Sequence, residues 1–213
     1  MTALLRILLA ALLGCTAIAA DESIIAPAHR LAADAPAWRD VAGKFALQPD
    51  TFAEFEERRF FAFRRDPVVL KGEVRISRAR GLSLHYTGAE DRVIIIDADG
   101  MLIRDATGQA APPDPRASSA NAALREILRL DFATLEKDFD LYGRRDGVAW
   151  SLALVPHDEM MRRMIGNIFV TGDPTAVQSI ELSRGPKQHI DIVMSATRSP
   201  ANFSAAELKK YFR

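Results

Sequence analysis

The strongest constraint on this chain is an alternation of side-chain character at every second residue, broken at short intervals by turn signals. Phe55, Glu57, Arg59, Phe61 and Phe63 alternate with Glu54, Glu56, Arg58 and Ala62, and period two over this length predicts one long strand. Asp66-Pro67 then marks a turn. Val68 to Arg78 predicts a second strand, with Leu70, Val74 and Ile76 apolar and Gly72 at a bend or bulge. Leu82, Leu84 and Tyr86 alternate with Ser83 and His85, Val93 to Ile96 is a short buried run, and Met101 to Arg104 returns after the Asp97-Ala98-Asp99-Gly100 turn. The second half repeats the pattern. Phe139–Tyr142 and Val148–Leu154 flank the hairpin signal Arg145-Asp146-Gly147, and Ile165–Val170, Val177–Ser183 and His189–Ala196 follow. The sum is a meander of about nine or ten antiparallel strands.

Helical spacing interrupts the strands in three places. Pro36 opens a segment in which Trp38, Val41, Ala42 and Phe45 share one face. Asn121 to Leu130 places Leu124, Ile127 and Leu128 together, and Asp131 caps a short helix through Leu135. Ser204 and Glu207 form a capping-box pattern for a closing helix through Phe212. Residues 21–35 are small and polar, which predicts loose order, and residues 106–120, with Pro112, Pro113 and Pro115, predict a loop. The expected fold is α+β: an open, strongly curved antiparallel sheet, a half-barrel, with helices covering its concave face. Several strands are too apolar for one solvated face, so an apolar cleft is expected between sheet and helices. With 213 residues and no internal repeat, residues 21–213 read as a single domain.

The first residues read as an export signal. Arg6 precedes the apolar run Ile7–Leu13, and Ala17-Ile18-Ala19 supplies a small-residue cleavage site, so residues 1–20 are expected to be removed and the mature chain to reside in the periplasm. Leu12-Leu13-Gly14-Cys15 also fits a lipobox, in which Cys15 would be lipidated and anchor the chain. Cleavage after Ala19 leaves no cysteine, hence no disulfide and no thiolate chemistry.

Basic and acidic residues both number 28, so the basic excess of a nucleic-acid binder is missing and no nucleic-acid partner is expected. Four histidines and one cysteine are too few and scattered for a structural metal site. His189 and Asp191 share a strand face without an identifiable third ligand, and Asp97-Ala98-Asp99-Gly100 lacks the closing Glu of a calcium loop. Gly81-Leu82-Ser83-Leu84-His85 lacks the second glycine of a nucleophile elbow. Glu54, Glu56 and Glu57 read as an outer polar face and one satisfied inner residue. No catalytic residue, metal or cofactor is therefore expected. Arg78 stands out because even spacing from Val74 and Ile76 puts it on their face: if that face is internal the cation needs a partner, and the other reading is an edge Arg that reaches water at the strand end.

The order of these motifs resembles the LolA-like periplasmic lipoprotein carriers, in a divergent branch. The residues that carry the resemblance are Phe55-Glu56-Glu57, Gly72 to Arg78, Leu82 to Tyr86, Ile96 to Gly100, Trp150 to Pro156, Ile180 to Ser183, Phe203 and the closing helix. The resemblance implies a half-barrel lidded by helices. It implies a monomer that shields the acyl chains of a lipoprotein or other lipidated cargo, taking it from an inner-membrane transporter and passing it to an outer-membrane acceptor. It places Arg78 at the position of the arginine that gates the lid through hydrogen bonds to lid backbone. Departures are Ala79-Arg80 after Arg78, Leu84 in place of an aromatic, and Glu57 in place of a glutamine. The candidate cavity lining is Phe55, Phe61, Val74, Ile76, Leu82, Leu84, Tyr86, Trp150, Leu152, Ile190 and Ile192. Met160, Met161 and Met164 are an adaptable apolar set nearby in sequence. An alternative reading keeps the fold but makes the chain a membrane-tethered acceptor or envelope lipid sensor, lipidated at Cys15.

Overall fold

A computed structural model describes residues 21–32, 35–111 and 118–213. The expected export segment, with Cys15 and the cleavage site, lies outside the described residues, as do Pro112, Pro113 and Pro115 of the expected loop. The strands are β1 (Thr51–Arg59), β2 (Val68–Ser77), β3 (Gly81–Thr87), β4 (Arg92–Asp97), β5 (Gly100–Asp105), β6 (Ala110–Ala111), β7 (Phe139–Asp146), β8 (Ala149–Pro156), β9 (Asn167–Gly172), β10 (Val177–Ser183) and β11 (His189–Arg198). The helices are α1 (Pro36–Ala46), α2 (Ser118–Arg129), α3 (Phe132–Leu135), α4 (Glu159–Ile165) and α5 (Ala205–Tyr211).

All the strands form one 11-stranded sheet in the order β6-β5-β4-β3-β2-β1-β11-β10-β9-β8-β7. The two sequence halves meet where β1 pairs antiparallel with β11, for example Glu57 opposite Ile192. Strands β6 and β7 remain edges, so the sheet is an open half-barrel. The β7 edge is partly covered by the chain at Arg30 and Leu31: Arg30 bridges to Tyr142 and the Leu31 N–H donates to the Leu141 carbonyl at 2.8 Å, which keeps an exposed edge from templating another strand.

Both faces of the sheet are covered in part. The inner face carries the main core: Phe55, Val74, Leu82, Leu84, Ile96, Trp150, Leu154, Ile168 and Ile180 pack with Trp38, Val41 and Phe45 of α1 and with Ile127 and Leu128 of α2. Gly72, opposite Phe55, is required there, because a Cβ on it would collide with the Phe55 ring and the His85 carbonyl. On the outer face Val93 and Ile95 pack with Tyr211 and Phe212 at the end of α5. This explains the uninterrupted Val93–Ile96 run: Ile96 faces the inner core while Val93 and Ile95 face α5.

Several expectations are corrected. Strand β1 stops at Arg59, so Phe61 and Phe63 belong to the connection between β1 and β2 and pack against each other as tilted rings with centroids 5.5 Å apart. Strand β2 stops at Ser77, so Arg78 does not extend the Val74–Ile76 face and is exposed. The closing helix forms with the expected capping box at Ser204 and Glu207, but it lies on the outer face rather than over the cavity. Residues 21–30 are ordered in short 3-10 turns, because Ile24 is 1% exposed against Ala153 and Phe169. The segment expected to start a strand at Ile165 is instead the end of α4, whose N-cap Asp158 accepts from the Met161 N–H.

Candidate functional site

Helix α2 lies over the inner face and places Leu124, Ile127 and Leu128 against β1, β2, β3, β10 and β11. An apolar cavity of about 120 Å³ remains between them. Phe55, Val74, Leu84, Ile180 and Ile192 make its floor, and Leu182, Ile190 and Ile165 stand toward the rim where β1 and β10 end. A small void of about 20 Å³ shares Val74, Leu128 and Met194 with it, and a larger cavity of about 410 Å³ under the C-terminal ends of α1 and α2 has a mixed lining, apolar at Phe45, Ile76, Leu82 and Leu128 and polar at Thr51, Arg78, Arg125 and Asp131.

Of the expected lining residues, Phe55, Val74, Leu84, Tyr86, Ile190 and Ile192 meet in the inner cavity, and Ile76 and Leu82 in the larger one. Trp150 and Leu152 are not among the lining residues; they are packed in the core, with Trp150 edge-on to Phe45 at 5.8 Å. Phe61 is outside, in the β1–β2 connection. Leu124, Ile168, Ile180, Leu182 and Met194 complete the wall. Ile180 and Leu182 carry the period-two signal that marks a strand, but the sequence does not say which of two faces meets α2.

One charged group, Glu57, enters the inner cavity. Glu57 is 3% exposed; it accepts from the Tyr86 hydroxyl at 2.6 Å and pairs with the Arg59 guanidinium. The carboxylate is thus the satisfied inner residue expected from the alternation. Burial raises the Tyr86 phenol well above its ordinary pKa, and the adjacent Glu57 charge adds to that. The Arg92 guanidinium lies 4.8 Å from the Tyr86 ring centroid.

The arginine that ties the lid helix to the sheet is Arg125. Its Nη1 donates to the Asp97 carbonyl at the end of β4, 2.7 Å away, and it pairs with the neighbouring Glu126 at 2.6 Å. Arg78 lies across the mouth of the larger cavity, near Arg125 and Arg129. Its backbone N–H donates to Asp50 at 3.1 Å, while its guanidinium has no partner among the described residues. The buried arginine of β2 is Arg75, 4% exposed on the outer face beneath α5. Among the described residues no group of three or more His, Cys, Asp or Glu side chains is placed to hold a metal ion. His189 stacks on Phe60 at 4.1 Å, and its Nε2 is 3.9 Å from Asp191.

Fold and cavity together define a class, an open antiparallel half-barrel with a helical lid over an apolar interior. Three solved structures are similar to the chain over most of its length. A LolA superfamily protein from Nitrosomonas europaea matches with TM-score 0.40 and 7% identity over 80% of this chain and 96% of its own. A DUF1329 family protein from Desulfovibrio piger matches with TM-score 0.43 and 11% identity over 80% and 95%. The MucA/MucB complex of Pseudomonas aeruginosa matches with TM-score 0.47 and 14% identity over 82% of this chain and 60% of the other. Each is a likeness in fold. No family model and no curated protein matches the sequence.

Proposed function

We propose that this chain is a periplasmic carrier that shields the acyl chains of a lipoprotein or another lipidated molecule during transfer from the inner to the outer membrane. The observation that carries the reading is the apolar cavity between α2 and the inner face of the sheet. An acyl chain in water costs about 0.8 kcal/mol for each exposed CH₂, and a lined apolar groove removes that cost without chemistry.

The inner cavity of about 120 Å³ is smaller than the ~300–1,000 Å³ of ordinary ligand sites. The described state is therefore the closed one, and loading requires α2 to lift. Cargo and the apolar face of α2 compete for the same floor of Phe55, Leu84 and Ile192, so binding shifts the population from closed to open. Arg125 on α2 favours the closed state through its bond to the Asp97 carbonyl. In this reading Arg78, exposed at the mouth with an unpaired guanidinium, acts on entry or release. An inner-membrane transporter is the expected donor and an outer-membrane protein the acceptor.

The test is native mass spectrometry and lipid extraction on protein purified from its own envelope. A discrete acylated adduct supports the carrier and names the cargo class. A protein with no adduct and a diacylglycerol on Cys15 overturns it in favour of a tethered acceptor.

A further inference from the structure

At the rim where the inner cavity ends, the structure gathers cations and unburied apolar side chains. Strand β1 ends at Arg59 opposite Ile190, and the next residue, Phe60, donates its N–H to the His189 carbonyl at 2.9 Å. The β1–β2 connection, residues 60–67, therefore lies beside the β10–β11 turn, residues 184–188. Helix α4 closes against the other side of that turn: a Cβ on Gly166 would strike the backbone of Ser183 and Arg184. Ile165 at the end of α4, and Leu182 and Ile190 on the two strands that flank the turn, line the cavity.

What these segments present to solvent is unusual for a chain with no net charge. Phe63 is 84% exposed and Met160 66%. Beside them stand Arg64, Arg65, Arg184 and Lys187, all exposed and with no side-chain partner among the described residues. On the same rim Asp66 opposes them, Asp158 caps α4 by accepting from the Met161 N–H, and Glu159 is taken up by Arg162 and Arg163 of its own helix at 3.3 and 4.0 Å. The acidic turn after β3 lies two strands away, and there Glu90 pairs with Arg92 at 2.9 Å and Asp91 with His85 at 3.1 Å. The rim is thus locally cationic, with an aromatic ring and a thioether standing out among the charges.

We infer that this rim docks on the surface of an anionic lipid bilayer. Lys and Arg attract acidic headgroups at about 1 kcal/mol for each cation near the surface, and Phe and Met seat in the boundary between headgroups and acyl chains. The docked orientation points the Ile165–Leu182–Ile190 end of the cavity at the membrane, so an acyl chain enters or leaves without crossing water. Charge complementarity selects the bilayer over an uncharged apolar partner. An acidic protein surface would satisfy the cations but gives Phe63 no apolar phase to enter.

The experiment is co-sedimentation of the full chain with vesicles of phosphatidylcholine, and with vesicles in which a third of the lipid is phosphatidylglycerol. The variants are Phe63→Ser, Arg64→Glu with Arg65→Glu, and Val148→Ser. Val148 is 70% exposed in the β7–β8 turn at the opposite rim. All proteins carry the same N-terminus, so a contribution from it cancels. Circular dichroism verifies that these exposed positions leave the fold intact. The expected result is binding to the anionic vesicles only, released in about 1 M salt, where the screening length is about 3 Å. The double charge reversal should lower binding about tenfold or more. Phe63→Ser should lower it severalfold, and Val148→Ser should leave it unchanged. Equal binding to both vesicles, no binding to either, or a charge-reversed variant that binds like the wild type overturns the inference. Vesicle docking needs no cargo, so it is tested separately from the carrier reading.

Discussion

The guanidinium carbon of Arg75 lies 3.7 Å from the centroid of the Tyr211 ring, on the face of the sheet opposite the cavity. Arg75 is 4% exposed, and its Nη2 reaches Glu73 at 2.8 Å while Nε and Nη1 are buried without an acceptor. The rings of Tyr211 and, at 5.2 Å, Phe52 flank the cation and offset part of its lost hydration. The end of α5 is held at further points. Arg104 donates to the Lys210 carbonyl at 2.9 Å, and Arg213 makes two 2.6 Å bonds to Asp97.

This contact should be measurable as a coupling. In a double-mutant cycle with Arg75→Met and Tyr211→Leu, followed by urea unfolding, the two changes together should cost about 1–2 kcal/mol less than the sum of the single costs. Additive costs would mean that α5 is held by apolar packing alone.

Tyr86 predicts an alkaline limit. Burial, then the Glu57 charge, raises its folded-state pKa above the ordinary value of about 10. Above that pH the unfolded chain releases the proton and the folded chain retains it. The contribution is therefore fully present below pH ~10 and is lost as pH rises from there, with a slope of up to about 1.4 kcal/mol per unit. Tyr86→Phe removes this slope. It also removes the donor to one oxygen of the buried Glu57 carboxylate and leaves Arg59 as its remaining partner, at a cost of about 1–3 kcal/mol near neutrality. Unfolding midpoints of both proteins from neutral to alkaline pH should converge; parallel curves would contradict the assignment.

Asp97 predicts the opposite limb. The Arg213 hydrogen bonds hold its carboxyl below the usual carboxylate range, helped by the Asp99 N–H. A depressed folded pKa gives stability that is present above the unfolded value of about 3.9 and lost as pH falls through the folded one. The pair is partly exposed, so Arg213→Ala should cost no more than about 1 kcal/mol at neutral pH. The difference from wild type should shrink below pH ~4. A difference that persists in acid would assign the cost to lost packing.

The strands were legible because period two survives wherever one face is buried, and Val177–Ser183 forms with the boundaries read from the sequence. Two kinds of information were not legible. The alternation continues past Arg59 through Phe61 and Phe63, but the chain leaves the sheet there, since Asp66-Pro67 imposes a turn and β2 pairs only from Val68 opposite Arg59. Burial on the outer face was also hidden. Glu73, Arg75 and Ser77 alternate with apolar residues like a solvated face, and only the docking of α5, about 130 residues later, buries Arg75. The end of β2 was equally hidden: the period-two pattern runs on to Arg78, one residue beyond the strand end.

Arg78 and Arg125 should separate by their effects. Arg78 is exposed and its side chain unpaired, so Arg78→Leu should leave stability within about 0.5 kcal/mol while altering the amount of lipid retained or its rate of release. Arg125→Leu deletes the bond to the Asp97 carbonyl and leaves Glu126, 7% exposed, unpaired. It should cost about 1–3 kcal/mol and speed hydrogen exchange in α2 selectively. Unchanged lipid retention and release in Arg78→Leu would remove its proposed role at the mouth.

Ile192→Phe distinguishes a cavity that takes cargo from an imperfectly filled core. Ile192 is half-buried on β11 and borders the void beneath α2, with Phe55, Ile180 and Leu124 around it. In a core at full density, added ring atoms force strained rotamers and cost about 1–3 kcal/mol. Here the ring can enter the existing space of about 120 Å³, so the urea midpoint should hold or rise. The floor that α2 and an acyl chain both require is then occupied, and the variant purified from the envelope should carry less lipid than wild type. A destabilised variant with its lipid load intact would show that the groove at Ile192 is packing and that cargo binds elsewhere. A stable variant with reduced load would place the acyl chain between α2 and β11.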